Sequence, residues 1–278
     1  MNRIDKLFEK FRSRDDKPFL TYLPCVDPSL KETLDLADFY VRNGVDFIEV
    51  GVPSILPWLD GRTIQSLHRR ACLAGVTTDH VFKVSSLLRK KYPDLPLIPM
   101  TTYSTVYSYG VENFCERCEE VDVDAVIIPN YPYVFGGDPH NFVKYLDEHG
   151  IYFINFIDGL TLGPKGSEQY ELLVKMIRLS KGFIYMPTRA GITGGHGALP
   201  YEQIRRRIEK VRKIQEAVGV RTPILLGFGI SKPDQVREIV KAGADAICVS
   251  SAILRRLELG RDEAGKLIRV LKEATKIK

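Results

Sequence analysis

The sequence predicts an α/β fold of the (β/α)8 type, a TIM barrel, with an extra helix at its amino end. Short apolar runs rich in Val, Ile, Phe and Tyr alternate with amphipathic stretches of helical period along all 278 residues. There are eight such runs, and eight βα units within about 250 residues is the count that closes a barrel. We therefore expect residues 1–278 to form a single barrel domain.

The apolar runs are expected to be the barrel strands. They are 18–24, 46–51, 96–102, 125–130, 152–157, 183–188, 223–228 and 246–250. The segment IDKLFEKFRSR (4–14) precedes the first of them and is predicted to be the extra helix, covering the lower mouth of the barrel. A doubly wound open sheet would be expected to carry a glycine-rich dinucleotide turn after its first strand, and YLPCVDP is not such a turn.

Signals for helix ends agree with this order of elements. Residues 27–44 are predicted to be a helix with Asp27 as its N-cap and Pro28 as its first residue, and with Gly44 closing it. Gly243 likewise closes the helix of QVREIVKAG. Strand and helix signals therefore indicate the same parallel α/β organisation.

Composition and charge favour a cytoplasmic protein with a small-molecule substrate. The formal charge of +5 comes from 40 basic and 35 acidic residues mixed along the chain, so nucleic acid is not implied, although an anionic substrate is compatible. The densest basic stretch, which starts at Arg205, fits an exposed helix face. No apolar run approaches the roughly 20 residues that cross a bilayer, and the start lacks the apolar stretch of a secretory signal.

Cysteine and histidine spacing gives no support for a metal or a cofactor. The five cysteines form an odd, scattered set, which fits reduced thiols better than disulfides. Cys115 and Cys118 form a C-x-x-C within a helical pattern, without a second cysteine pair, so redox or zinc chemistry is the less favoured alternative. The five histidines show no spacing typical of metal ligands.

The first candidate for chemistry is the segment FIEVGVPSILPWLDG. In a barrel of this type the active site is built at the carboxyl ends of the strands. Glu49 lies within an otherwise apolar strand, and Asp60 follows on the loop leading out of it. Burial raises the pKa of a carboxyl, which would suit Glu49 for proton transfer near neutral pH. The alternative is a structural Glu paired with a basic residue of a neighbouring strand.

Two further segments suggest a phosphate site with a lid. After the last two strands, Gly227 and Gly229 allow close approach of a ligand, and Ser250 and Ser251 begin a short helix whose N–H groups attract anions. The alternative is ordinary glycine and serine turns. The glycine-rich loop 188–200 is long enough to fold over a substrate, or it is mobile surface.

The sequence offers no lysine at a strand end to form a Schiff base, since Lys165 lies in a loop. It also offers no cluster of metal ligands to hold an ion that could stabilise an enolate. What remains is acid/base chemistry without a cofactor.

At this point the chain resembles the tryptophan synthase alpha subunit family over nearly its whole length. The resemblance rests on an ordered set of motifs: E-x-G-x-P, then L-D-G-x-T-I-Q, then R-x-G-x-T-G, then G-F-G-I-S. It implies retro-aldol cleavage of indole-3-glycerol phosphate to indole and glyceraldehyde 3-phosphate, and a β subunit as partner. It also implies that Glu49 is the acid/base at indole C3 and at the glycerol hydroxyl, while Asp60 holds the proton of the indole nitrogen.

The resemblance further implies a lid with Arg189 and Thr193, the latter positioning Asp60. The residues expected to contact substrate or its phosphate are Tyr185, Gly194, Gly229, Ser250 and Ser251. The chain departs from the family pattern after strands 2 to 5, for example at Leu56, Arg62 and Asn130. Two alternatives therefore stay open: a divergent lyase with another phosphorylated substrate, and a non-catalytic regulatory subunit.

Overall fold

A computed structural model describes residues 1–55, 57, 60–131, 137–138, 140–157, 163–189 and 198–276. Its strands are short and lie in the order the sequence predicts. They are β1 Phe19–Pro24, β2 Phe47–Gly51, β3 Leu97–Met100, β4 Ala125–Val126, β5 Tyr152–Phe153, β6 Asn155–Phe156, β7 Ile184–Pro187, β8 Ile224–Gly227 and β9 Ala246–Cys248. Each predicted strand has a counterpart, and the fifth is divided into β5 and β6.

The strands pair in parallel and surround a central core. One sheet has the order β3-β2-β1-β9-β8-β7-β6, and β4 pairs with β5. A bridge between Met100 and Ile127 joins β3 to the β4 segment, and only Ile154 separates β5 from β6. These links complete the ring, so the predicted (β/α)8 barrel is confirmed.

Helices cover the outside of the barrel. In the described residues they are α1 Arg3–Arg12, α2 Leu30–Arg42, α3 Arg62–Leu73, α4 Thr78–Lys91, α5 Tyr103–Tyr109, α6 Val111–Glu120, α7 Phe142–Glu148, α8 Glu168–Leu179, α9 Tyr201–Ala217, α10 Pro233–Lys241, α11 Ser251–Leu257 and α12 Arg261–Glu273. None of them is long and apolar enough to cross a membrane.

Helix α1 closes the amino end of the barrel, as predicted. Its Ile4 and Phe8 are buried in the apolar core inside the barrel. The Phe8 ring lies 6.3 Å from the rings of Phe47 and Phe183, which stand at the starts of β2 and β7. The other end of the barrel is therefore the one open for a site.

The start of α2 differs from the prediction. The N-cap is Ser29, whose hydroxyl accepts a hydrogen bond from the Glu32 amide at 3.2 Å, and the helix begins at Leu30. Asp27 instead accepts from the Arg70 guanidinium at 2.7 Å. Serine caps a helix about as well as aspartate, and the Asp27 carboxylate is engaged by Arg70 and not by the helix.

The predicted ends at Gly44 and Gly243 are confirmed, since both follow helix C-caps with φ of +102° and +105°. The five cysteines are free thiols, and Cys115 and Cys118 are buried within α6.

Candidate active site

Glu49 lies on the inner face of the barrel. Residues alternate across a strand, so Ile48 and Val50 pack outward against the helices while Phe47 joins the interior core. Glu49 follows the inward direction, and only 4% of its surface is exposed. Burial raises the pKa of its carboxyl to about 8, with a further contribution from the negative charge of Asp60. A carboxyl of this kind holds its proton at neutral pH and can donate it.

Asp60 lies on the loop between β2 and α3, and it is 6% exposed. Two hydrogen bonds hold its backbone. The side-chain amide of Gln65 donates to the carbonyl oxygen of Asp60 at 2.7 Å, and the N–H of Asp60 donates to the Pro57 carbonyl at 3.1 Å. Its carboxylate faces the imidazole of His68, with Oδ2 at 3.5 Å from Nε2. The loop therefore fixes the position of a second buried acid.

Both carboxyls line one pocket, which is partly open to solvent. Most of the other residues lining it are apolar or glycine. The full set of these other lining residues is Tyr22, Ile64, Met100, Ile127, Phe156, Tyr185, Phe228, Gly229, Ile230, Cys248, Val249, Ser250 and Ser251. The structure thus brings together the two acids, Tyr185, Gly229, Ser250 and Ser251. Gly227, which was also expected to admit a ligand, does not line the pocket, because the Tyr185 hydroxyl covers it.

Three aromatic rings form one wall of this pocket. Phe156 stacks on Tyr185 with ring centroids 5.1 Å apart and planes 24° from parallel. Phe228 meets both rings edge-on, at 5.7 Å from Phe156 and 5.9 Å from Tyr185. Such a wall offers a flat apolar surface, which suits a planar aromatic group.

A polar corner of the pocket lies at the start of α11. Gly229 has a φ of +68°, which glycine adopts without strain. Ser250 is the N-cap of α11, but its hydroxyl makes no capping bond to the helix and instead accepts from the Tyr22 amide at 3.2 Å. The first N–H groups of any helix lack acceptors within it, so this corner can bind an anion.

The predicted lid residues are only partly described. Arg189 follows β7, is half-buried, and donates to the Ala198 carbonyl at 3.4 Å. It does not line the pocket. Thr193 and Gly194 lie outside the described residues.

Sequence reasoning missed Tyr22 and His68. His68 belongs to the buried face of α3, with Ile64, Leu67 and Ala71, and this i, i+3, i+4, i+7 spacing was visible in the sequence. Tyr22 pairs with Glu49 across β1 and β2, so it shares the inward direction of Glu49. Strand alternation combined with the barrel order could have found it.

Comparisons with known proteins agree with this geometry. A family model described as "Tryptophan synthase alpha chain" matches residues 8–278. Proteins named tryptophan synthase alpha chain are similar in sequence: that of Vibrio parahaemolyticus is 31% identical over 99% of both chains. That of Pectobacterium atrosepticum is 34% identical over 93% of this chain and 90% of its own.

Solved structures superimpose over nearly the whole chain. A structure from Aquifex aeolicus has 26% identity and a TM-score of 0.86, and covers 100% of both chains. The tryptophan synthase subunit alpha of Legionella pneumophila has the same fold, with a TM-score of 0.82, 23% identity and coverage of 99% and 98%. The resemblance noted from the motifs is thereby confirmed. The chain belongs to the tryptophan synthase alpha chain family, whose members are lyases of tryptophan biosynthesis.

Proposed function

We propose that this chain cleaves indole-3-glycerol phosphate to indole and glyceraldehyde 3-phosphate, with Glu49 and Asp60 as the catalytic residues. One observation carries the proposal: two buried carboxyls face a single pocket that has an aromatic wall and a polar corner at the start of α11. An indole ring fits the wall, and a phosphate fits the corner.

Glu49 transfers the proton in this scheme. Its carboxyl, protonated at neutral pH, donates a proton to indole C3 and gives an indolenine-like intermediate. The resulting carboxylate then takes the proton of the adjacent glycerol hydroxyl. A carbonyl forms, the bond to indole C3 breaks, and its electron pair restores the aromatic ring. Glu49 ends with the proton it started with.

Asp60 stabilises the charge that develops on the indole nitrogen. Protonation at C3 makes the ring N–H strongly acidic, and a carboxylate that accepts from it lowers the energy of the intermediate. A buried acceptor acts strongly because little water competes with it. The two acids thus have separate roles, set by their separate surroundings.

The phosphate is anchored in this proposal by Gly229, Ser250 and Ser251, with Gly194 adding a donor from the lid. Arg189 and Thr193 belong to the lid, and Thr193 positions Asp60 when the lid closes. Tyr185 contributes to the aromatic wall.

We also infer a tryptophan synthase β subunit as partner. Three large apolar side chains are exposed in segments that follow β2 and β3: Ile55, Leu73 and Tyr107 are 81%, 78% and 60% exposed. Ile55 and Leu73 line one surface groove. Exposed apolar side chains that line a groove mark binding surfaces. A partner covering them would also receive the indole.

The test is release of indole from indole-3-glycerol phosphate by the purified chain, alone and with a β subunit. Indole release that depends on the substrate concentration supports the proposal. Binding of glyceraldehyde 3-phosphate without indole release would favour a related lyase with another phosphorylated substrate. If the chain neither binds glyceraldehyde 3-phosphate nor releases indole, the proposal is wrong.

A further inference from the structure

His68 lies behind Asp60, and no step of the proposed reaction uses it. It is on the buried face of α3 and is 6% exposed. A buried histidine needs hydrogen-bond partners for its two ring nitrogens, and the partners decide which nitrogen carries the proton.

A backbone amide determines the tautomer. The N–H of Ser54 donates to Nδ1 of His68 at 3.1 Å, so Nδ1 must present a lone pair. The proton of the neutral ring is therefore on Nε2. Ser54 belongs to the segment leaving β2, so the strand that carries Glu49 also sets the state of His68.

Two buried oxygens lie near Nε2 of His68. Oδ2 of Asp60 lies 3.5 Å from Nε2, and the hydroxyl of Tyr22 lies 3.4 Å from it. Burial and the nearby negative charge of Asp60 raise the pKa of Tyr22 well above its ordinary value, so that hydroxyl keeps its proton. Asp60 is thus the anionic acceptor within reach of Nε2, and charged acceptors form the stronger hydrogen bonds.

We propose that His68 is a positioning residue for Asp60: its Nε2–H donates to one carboxylate oxygen and directs the other toward the indole nitrogen. The proposal rests on the function inferred above for Asp60. Donor contacts in active sites often shorten once substrate is bound, so 3.5 Å is a distance from which this hydrogen bond can form. A carboxylate held in this way loses little orientational freedom in the transition state.

The tautomer can be measured without any assay of activity. In protein labelled with 15N-histidine, NMR correlations of the ring should show His68 with Nε2 protonated and Nδ1 unprotonated at pH 7.5. In Asp60→Asn the Nε2 signal should move while the Nδ1 signal stays, because only the acceptor on the Nε2 side changes. A protonated Nδ1, or an Nε2 signal unaffected in Asp60→Asn, would overturn the proposal.

Two amide variants separate positioning from packing. The amide nitrogen of His68→Gln lies close to where Nε2 was, so it can still donate to Asp60. The amide oxygen of His68→Asn lies close to where Nδ1 was, so it keeps the Ser54 bond but leaves Asp60 without a donor. We expect kcat to fall about tenfold to a hundredfold in His68→Asn and by less in His68→Gln, with KM little changed in both.

His149→Asn is the matched control, because His149 pairs with Glu119 on the surface at 2.6 Å. If His68 only packs, the kcat values of the two amide variants will follow their melting temperatures, and the proposal is then wrong. If the wild type releases no indole, the proposed function fails, whereas the NMR result still decides whether His68 donates to Asp60.

Discussion

The hydroxyl of Tyr185 lies directly over Gly227 of the neighbouring strand. A Cβ built at Gly227 would overlap that oxygen, with the ring carbon Cζ at 3.0 Å. Tyr22 and Gly51 have the same relationship across β1 and β2. Each tyrosine thus reaches the pocket over a glycine that leaves room for it.

Gly227→Ala is therefore expected to displace Tyr185 and to destabilise the fold by about 1–3 kcal/mol, the usual cost of overpacking. Adding Tyr185→Phe removes the closest atom, so the double variant should recover part of the loss. Thermal melts of the two single variants and the double variant form a cycle that checks this coupling. Additive losses would show that the two residues do not press on each other.

Glu49→Gln should lose nearly all turnover, since proton transfer typically contributes about a hundredfold to ten-thousandfold. Glyceraldehyde 3-phosphate should still bind, because the phosphate corner is unchanged. The measurements are the rate of indole release and a titration by calorimetry. Glu148→Gln, an exposed change on α7, is the control. Turnover above about a tenth of wild type would mean that Glu49 has another role.

The pH profile should report the protonation of Glu49. The carboxyl must start protonated to donate to C3, and burial raises its pKa to about 8. We expect kcat/KM to fall above pH 8, by about tenfold per pH unit. A profile that stays level from pH 7 to pH 10 would exclude the protonated carboxyl as the donor.

Glu49 should also make the stability depend on pH. Its pKa in the folded protein, about 8, is raised above the ordinary value of 4.5. The contribution of Glu49 to the stability of the fold is therefore fully present below pH 4.5 and is lost as the pH rises through 8. The reason is that Glu49 ionises at a lower pH in the unfolded chain than in the folded protein.

Gln at position 49 does not titrate. At pH 8 we expect Glu49→Gln to melt at a higher temperature than wild type, with a free energy of unfolding larger on the order of a few kcal/mol. At pH 5 the two proteins should differ little. Calorimetric melts at the two pH values measure this. An equal difference at both would contradict the raised pKa.

The exposed apolar side chains that follow β2 and β3 should be needed to bind the β subunit. Leu73→Lys and Tyr107→Lys should each weaken the complex by at least about tenfold, because a buried charge replaces an apolar contact. Val270→Lys is the control: it is an equally drastic change on α12, where the side chain is 46% exposed, and it should leave the affinity for the β subunit unchanged. Sedimentation velocity measures the complex, and the lyase rate with β subunit shows whether closure of the lid follows from binding.

Much of the fold could be predicted because hydrophobic periodicity is a local property. Each apolar run folds as a strand wherever it packs, so eight runs were enough to predict the barrel. The predicted start of α2 was two residues too early: Asp27, expected to cap the helix, instead pairs with Arg70, which lies 43 positions away. No local pattern contains such a contact.

For the site, the chain by itself determined which acids were available and on which strand ends they lie, since Glu49 interrupts an apolar strand and Asp60 follows on its loop. Only the tertiary structure decided their chemistry. The raised pKa of Glu49 comes from burial and from a charge on a different segment, and the proton of His68 is directed by Ser54. Desolvation and hydrogen bonding act through space, so they appear only when the strands have closed the ring.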